Sequence, residues 1–196
     1  MTLIQTWEVL NSAWAFRHRW YNLRQDKVRL PSGLVLSDYF VSLRPEIALV
    51  IPVTIDAKVL LVRQYRHGRG EILLELPAGS FDPQRETALA AAQRELREET
   101  GYGGDRWIPL GILADNPVRD TNQLHLFLAP DVTYQGVPTP DPSEQIEVVL
   151  YPLAQIRSAL VAGKIRVAGS MAGVFLALEH YDAGTGTFRH GGRQDL

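Results

Sequence analysis

Two stretches of this chain, "IALVIPVTI" and "KVLLVRQYR", are rich in β-branched residues, almost continuously apolar, and meet at the turn "DAK". A strand with one wet face alternates apolar and polar residues, so unbroken runs predict strands covered on both faces. Upstream, from Trp14 to Arg44, the pattern does alternate, with "WYNLRQDKVRL" and "LVLSDYFVSL" flanking "PSG", which predicts a β-hairpin or small sheet. After the short strand "EILLEL" and the glycine loop "PAG", the period changes: Leu89, Ala92 and Leu96 recur at helical spacing. Thr87 or Asp82 can cap that helix and Gly101 can end it. Beyond it, "RWIPLGIL", "QLHLFLAP" and "QIEVVLYPL" predict strands, and "LAQIRSALVAG" and "VAGSMAGVFLALEHYD" predict helices. The tail from Ala183, with four glycines and no apolar cluster, is expected to be loose.

With 196 residues, the chain suits one domain, or a core domain with a small appendage. Its net charge of −2 gives no global attraction to nucleic acid or anionic membrane, so an anionic substrate must be met by local positive charge or by metal ions. Zero cysteines exclude a disulfide framework, thiol catalysis and Cys-ligated zinc. The histidines, His67 and His125 among them, have no paired spacing for zinc and are read as structural. The start "MTLIQTWEVLNSAWAF" shows no basic segment followed by an apolar run, and "EIALVIPVTI" is too short to span a bilayer, so a cytoplasmic protein without membrane partners is expected.

The predicted helix ends in "RELREETG", Arg94 to Gly101. On a helix Glu95 and Glu99 are four apart and Glu95 and Glu98 three apart, so like charges crowd one face, at about 0.2–0.5 kcal/mol per pair. An isolated acidic turn is usually a solvated face. Here a glycine loop, a buried strand and a further glutamate, Glu86, precede it. Carboxylates converging at one helix end suit Mg²⁺, a hard ion that takes oxygen ligands and keeps places for water and phosphate. Such ions would cancel the repulsion and neutralise a pyrophosphate.

Read whole, "GSFDPQRETALAAAQRELREETGY" resembles the signature of the Nudix hydrolases, G-x5-E-x7-R-E-U-x-E-E-x-G-U with U apolar, a family that cleaves nucleoside diphosphates linked to another group. Gly79, Glu86, Arg94, Glu95, Glu98, Glu99 and Gly101 fill its fixed places, with one departure: six residues, not five, separate Gly79 from Glu86. "LLVRQYRHG", "LELPAG" and "NPVRDTNQLHLFLA" are similar to the ADP-ribose pyrophosphatase branch, where a proline follows the box at about this distance, here Pro117. Many members of that branch have Ser or Asp before the proline and Gly after it, whereas this chain has Asn116 and Val118.

The resemblance implies an α+β Nudix fold, a mixed β-sheet sandwiched between α-helices (α/β/α), with a small N-terminal antiparallel β region. The expected limits are residues 1–45 for that region, 46–182 for the Nudix domain and 183–196 for a flexible tail. It implies metal ligation by Glu95, Glu98, Glu99 and the backbone carbonyl of Ala78, with Mg²⁺ as cofactor and Mn²⁺ as a substitute. Arg94 is assigned to orienting the carboxylates, and Glu86 to supporting them. Hydrolysis also needs a loop carboxylate as general base: Glu144 is the first choice and Glu147 the second. Arg66, Glu75, Pro117 and the aromatics Trp20 and Tyr39 fall at substrate-binding places, the aromatics in part across a homodimer. The implied reaction is hydrolysis of a nucleoside-diphosphate sugar, ADP-ribose giving AMP and ribose 5-phosphate. Rivals are another substrate, such as GDP-mannose, NADH or a diadenosine polyphosphate, and a non-catalytic ADP-ribose sensor.

Overall fold

The computed structural model describes residues 3–182 and 187–188. It contains two compact units, Met1–Pro45 with Ala114–Gln123, and Glu46–Leu113 with Leu124–Leu196.

In the first unit, β1 (Glu8–His18), β2 (Tyr21–Arg29) and β3 (Val35–Leu43) form an antiparallel sheet in that order. The β2–β3 connection carries the expected turn, closed by Gly33 N–H donating to Leu30 O at 2.9 Å, with Gly33 at φ 87°. The sequence pattern does not predict the first half of β1. This strand is exposed along nearly its whole length, so no alternation marks it, and pairing with β2 alone defines it. Residues 114–123 are grouped with this unit as well. The physical reason is a set of bonds to β3: Ser42 N–H donates to Arg119 O at 2.7 Å, Thr121 N–H to Ser42 O at 3.1 Å, and Tyr39 Oη–H to Val118 O at 2.5 Å.

The second unit is built on an eight-stranded sheet. Its strands are β4 (Glu46–Thr54), β5 (Lys58–Arg66), β6 (Glu71–Glu75), β7 (Ala78–Phe81), β8 (Tyr102–Gly103), β9 (Ile108–Ala114), β10 (Gln123–Tyr134) and β11 (Ile146–Pro152). The central order is β11-β5-β4-β10-β8, with β6 on β5, β7 on β4 and β9 on β10. β4 and β10 run parallel while β5 and β11 run antiparallel, so the sheet is mixed.

The helices are α1 (Ala88–Thr100), α2 (Leu153–Val161) and α3 (Ala168–Glu179). Strand residues point alternately to the two faces. On β4, Ala48 and Val50 pack with Ala91, Ala92 and Leu96 of α1. Leu49, Ile51 and Val53 pack with Ile156 of α2 and Val174 of α3. The unbroken apolar runs are thus explained by one helix on one face and two on the other. α3 comes close because it presents Gly169 and Gly173; a Cβ at Gly173 would lie 3.2 Å from Leu49, Ile51 and Leu126. Of the expected tail, residues 183–186 and 189–196 lie outside the described residues. Thr187 and Phe188 form β13 (Thr187–Phe188), which pairs with β12 (Tyr181–Asp182). Among the described residues no helix is long and apolar enough to cross a membrane.

Candidate active site

"PAG" is not a free loop, because Ala78 and Gly79 lie in β7, opposite Leu49 and Ala48 of β4. The entry to β7 is held from three elements. Val50 N–H of β4 donates to Pro77 O at 3.0 Å, Leu76 N–H donates to Ser170 Oγ of α3 at 3.0 Å, and Ala78 N–H donates to Glu99 Oε2 of α1 at 3.2 Å. Gly79 is required by closeness: a Cβ there would fall 1.9–2.3 Å from the Glu95 carboxylate.

α1 starts at Thr87, whose Oγ1 accepts from Ala90 N–H at 3.2 Å, and ends at Gly101, which is left-handed with φ 73°. Arg94 answers the repulsion on its acidic turn. Its Nη2 donates to Glu86 Oε1 at 2.7 Å and its Nε to Glu86 Oε2 at 3.3 Å; its Nη1 donates to Glu95 Oε1 at 2.7 Å and Glu98 Oε2 at 3.1 Å. These bonds, led by Glu86, raise the Arg94 pKa above the ordinary arginine value. The extra residue before Glu86 is taken up in a turn in which Arg85 and Glu86 N–H both donate to Asp82 O, at 2.9 and 3.1 Å. Glu86 therefore reaches Arg94 despite the insertion.

Glu99 has a different environment. It is 4% exposed, and burial, followed by the charges of Glu95 and Glu144, pushes its pKa up to about 8. Burial also raises Glu95, against the pull of Arg94. Among the described residues no three acidic or imidazole groups already meet as a metal cage. Glu86, Glu95 and Glu98 turn to Arg94, and Glu99 to Ala78. The donor set nevertheless fits a hard divalent cation, since it is all oxygen and includes a buried carboxylate held by a single backbone N–H.

The two loop acids sit differently. Within β11, Val148 packs on the α1 face and pairs with Val62, and Ile146 pairs with Gln64, whereas Glu144 lies in the exposed turn just before the strand. Its charge is felt at Glu95, Glu99 and Arg66. Glu147, between Ile146 and Val148, is gripped by Arg63 Nη1 at 2.9 and 3.0 Å, so the structure does not bring it to the carboxylate cluster. Arg66, on the α1 face of β5, donates through Nε and Nη2 to Glu75 at 2.7 and 3.1 Å. Burial works to lower the Arg66 pKa, and Glu75 raises it on balance. The remaining substrate-side residues belong to the first unit. Trp20 is 78% exposed, with the Arg19 guanidinium 5.0 Å over its ring. Tyr39 meets Trp7 edge-on at 5.4 Å, and Pro117 lies in a turn closed by Arg119 N–H on Asn116 O. Ser170 escapes the sequence pattern entirely, being one hydroxyl in an apolar helix, and Gln64 is buried with Nε2 unpartnered.

The fold and its carboxylate helix define a Nudix domain: the Nudix family model matches residues 43–168, and a nucleoside diphosphate sugar hydrolase N-terminal domain model matches residues 7–42. The chain belongs to the Nudix hydrolase family, whose members generally need divalent metal cations. It is 32% identical over 155 residues to an ADP-ribose pyrophosphatase of Mycobacterium tuberculosis, covering 79% of this chain and 74% of that one. The Escherichia coli ADP compounds hydrolase NudE is 25% identical over 174 residues, covering 87% and 91%. A crystal structure of an ADP compounds hydrolase superposes with a TM-score of 0.80 at 25% identity, covering 91% of this chain and 96% of that one.

Proposed function

We propose that the chain hydrolyses ADP-ribose to AMP and ribose 5-phosphate, using Mg²⁺, with Mn²⁺ able to replace it. The α1 carboxylates, with Glu99 buried against the Ala78 N–H, support the metal-dependent hydrolysis, and the similarity to an ADP-ribose pyrophosphatase supports the substrate. The residues that would hold the metal are Glu95, Glu98, Glu99 and the Ala78 carbonyl; when bound, the ion supplies charge neutralisation at the pyrophosphate. Glu144 takes a proton from water as the water oxygen bonds to one phosphorus. The bond from that phosphorus to the bridging oxygen breaks, and the bridging oxygen leaves with the other phosphate. Arg66, aimed by Glu75, binds a phosphate oxygen. Arg94 holds Glu86, Glu95 and Glu98 in place. Trp20, Tyr39 and Pro117 are assigned to the adenosine and ribose groups.

Assay of ADP-ribose, GDP-mannose, NADH and diadenosine polyphosphates with Mg²⁺ or EDTA is expected to give the highest kcat/KM for ADP-ribose and none with EDTA. A preference for another substrate would remove the ADP-ribose assignment and leave the chemistry. Binding of ADP-ribose without hydrolysis of any compound would make the chain a sensor.

The same reading includes a homodimer, supported by the exposed apolar side chains Val9, Trp14 and Phe16 on β1, at 58%, 49% and 54% exposure. Light scattering is expected to read twice the 21.9 kDa chain mass, and a particle of one chain mass would overturn it.

A further inference from the structure

Between β10 and β11 the chain runs through "QGVPTPDPSEQ", residues 135–145. Proline lacks an N–H and restricts the residue before it to extended backbone. With Pro138, Pro140 and Pro142 in place, Thr139 and Asp141 carry the only backbone donors from 138 to 142, and both are used. Thr139 N–H donates to the Glu98 carbonyl of α1 at 2.8 Å, and Asp141 N–H donates to Glu144 Oε2 at 3.3 Å. The start of the segment is fixed to the same helix end, where Gln135 and Gly136 N–H donate to Gly101 O at 2.8 and 3.2 Å. Gly101 permits this approach, since a Cβ there would lie 2.0 Å from Gly136 O. At the far end Asp141 Oδ1 accepts from Ser143 N–H at 2.8 Å and Oγ–H at 2.6 Å, and Asp141 O accepts from Glu144 N–H at 2.8 Å. The Asp141 carboxylate thus closes an Asx turn on Ser143, while the backbone N–H and C=O of Asp141 bracket Glu144.

We propose that residues 135–144 are a strap that ties Glu144 to the end of the carboxylate helix, with Asp141 as the positioning residue: its side chain closes the turn on Ser143, and that turn presents the N–H that holds the Glu144 carboxylate. This rests on the reading of Glu144 as general base. The sequence spacing is what makes the strap work: three prolines remove slack, and the two donors between them are spent one on α1 and one on Glu144. Asp141 touches neither metal nor substrate; its side chain orders the turn through Ser143, and the turn acts on the reaction through Glu144.

A double-mutant cycle tests it. Asp141→Ala is expected to lower kcat about 10–100-fold, the range for a residue that orients a reacting group, with KM and the Mg²⁺ activation constant unchanged. Asp141→Asn, which keeps the accepting oxygen, is expected to restore kcat. In a Glu144→Gln background, Asp141→Ala is expected to have no further effect. Thr139→Pro, which deletes the bond to Glu98 without touching Asp141, is expected to lower kcat in the same way. An equal loss from Asp141→Ala in both backgrounds, or no rescue by Asn, would overturn the strap while leaving Glu144 as base. An undiminished kcat in Glu144→Gln alone would overturn the base assignment and the strap with it.

Discussion

Glu99→Gln is expected to lower kcat/KM about 10²–10³-fold while making the metal-free protein more stable. The loss of rate follows from removing an anionic oxygen at the place where a pyrophosphate and its cations must be balanced. The gain in stability follows from the pKa. In the fold Glu99 titrates near 8, whereas its ordinary value is 4.5, so between those values the folded state holds a proton that the unfolded state has released. Stability from this group is therefore fully present below the ordinary value and declines as pH rises through the folded one. Above that, the buried charge costs of the order of a few kcal/mol until a cation balances it. Urea unfolding in EDTA should show the wild-type midpoint falling from about pH 5 to about pH 9, and the Gln variant falling less. Added Mg²⁺ should restore the wild type alone. A metal-free Gln variant less stable than wild type at the high end, or one with full activity, would sink the assignment of Glu99.

Glu144→Gln is expected to lower kcat about 10²–10⁴-fold with the Mg²⁺ activation constant unchanged, the signature of a lost general base with the metal ligands intact. Glu147→Gln provides the contrast. Its carboxylate is bound to Arg63, both side chains being exposed, in an ion pair worth about 0–1 kcal/mol, and kcat should stay within about threefold of wild type. Steady-state kinetics on the pair decides between the two loop acids, and a larger loss at Glu147 would reverse their roles.

The acidic helix end was legible in the chain because Arg94, Glu95, Glu98 and Glu99 lie within two helical turns, where spacing fixes which side chains share a face. The sheet's centre was legible for a similar reason: burial on both faces of β4 and β5 writes itself as an unbroken apolar run. Where meaning comes from a distant partner, local pattern is silent. β1 is an exposed edge defined by β2, and Gly79 reads as a loop residue until β4 is seen beside it. The insertion before Glu86 raises a question of reach that only the Asp82 turn answers. Ser170 holds Leu76 N–H across 94 residues of sequence. Asp141 reads as one more loop acid, because neither its side-chain turn on Ser143 nor its backbone N–H on Glu144 leaves a mark in local pattern.

The attachment of residues 114–123 to β3 bears on how this architecture can be inherited and recombined. The N-terminal β unit is closed by a piece of chain inserted between β9 and β10, so its coding information is split in two. A deletion ending at Pro45 would remove the sheet and strand Arg119 and Thr121 without Ser42, and a transplant of the first 45 residues onto another Nudix domain would arrive without its own closing segment. Such a unit can be exchanged only together with its host's loop, so the two segments are expected to change in concert over evolutionary time.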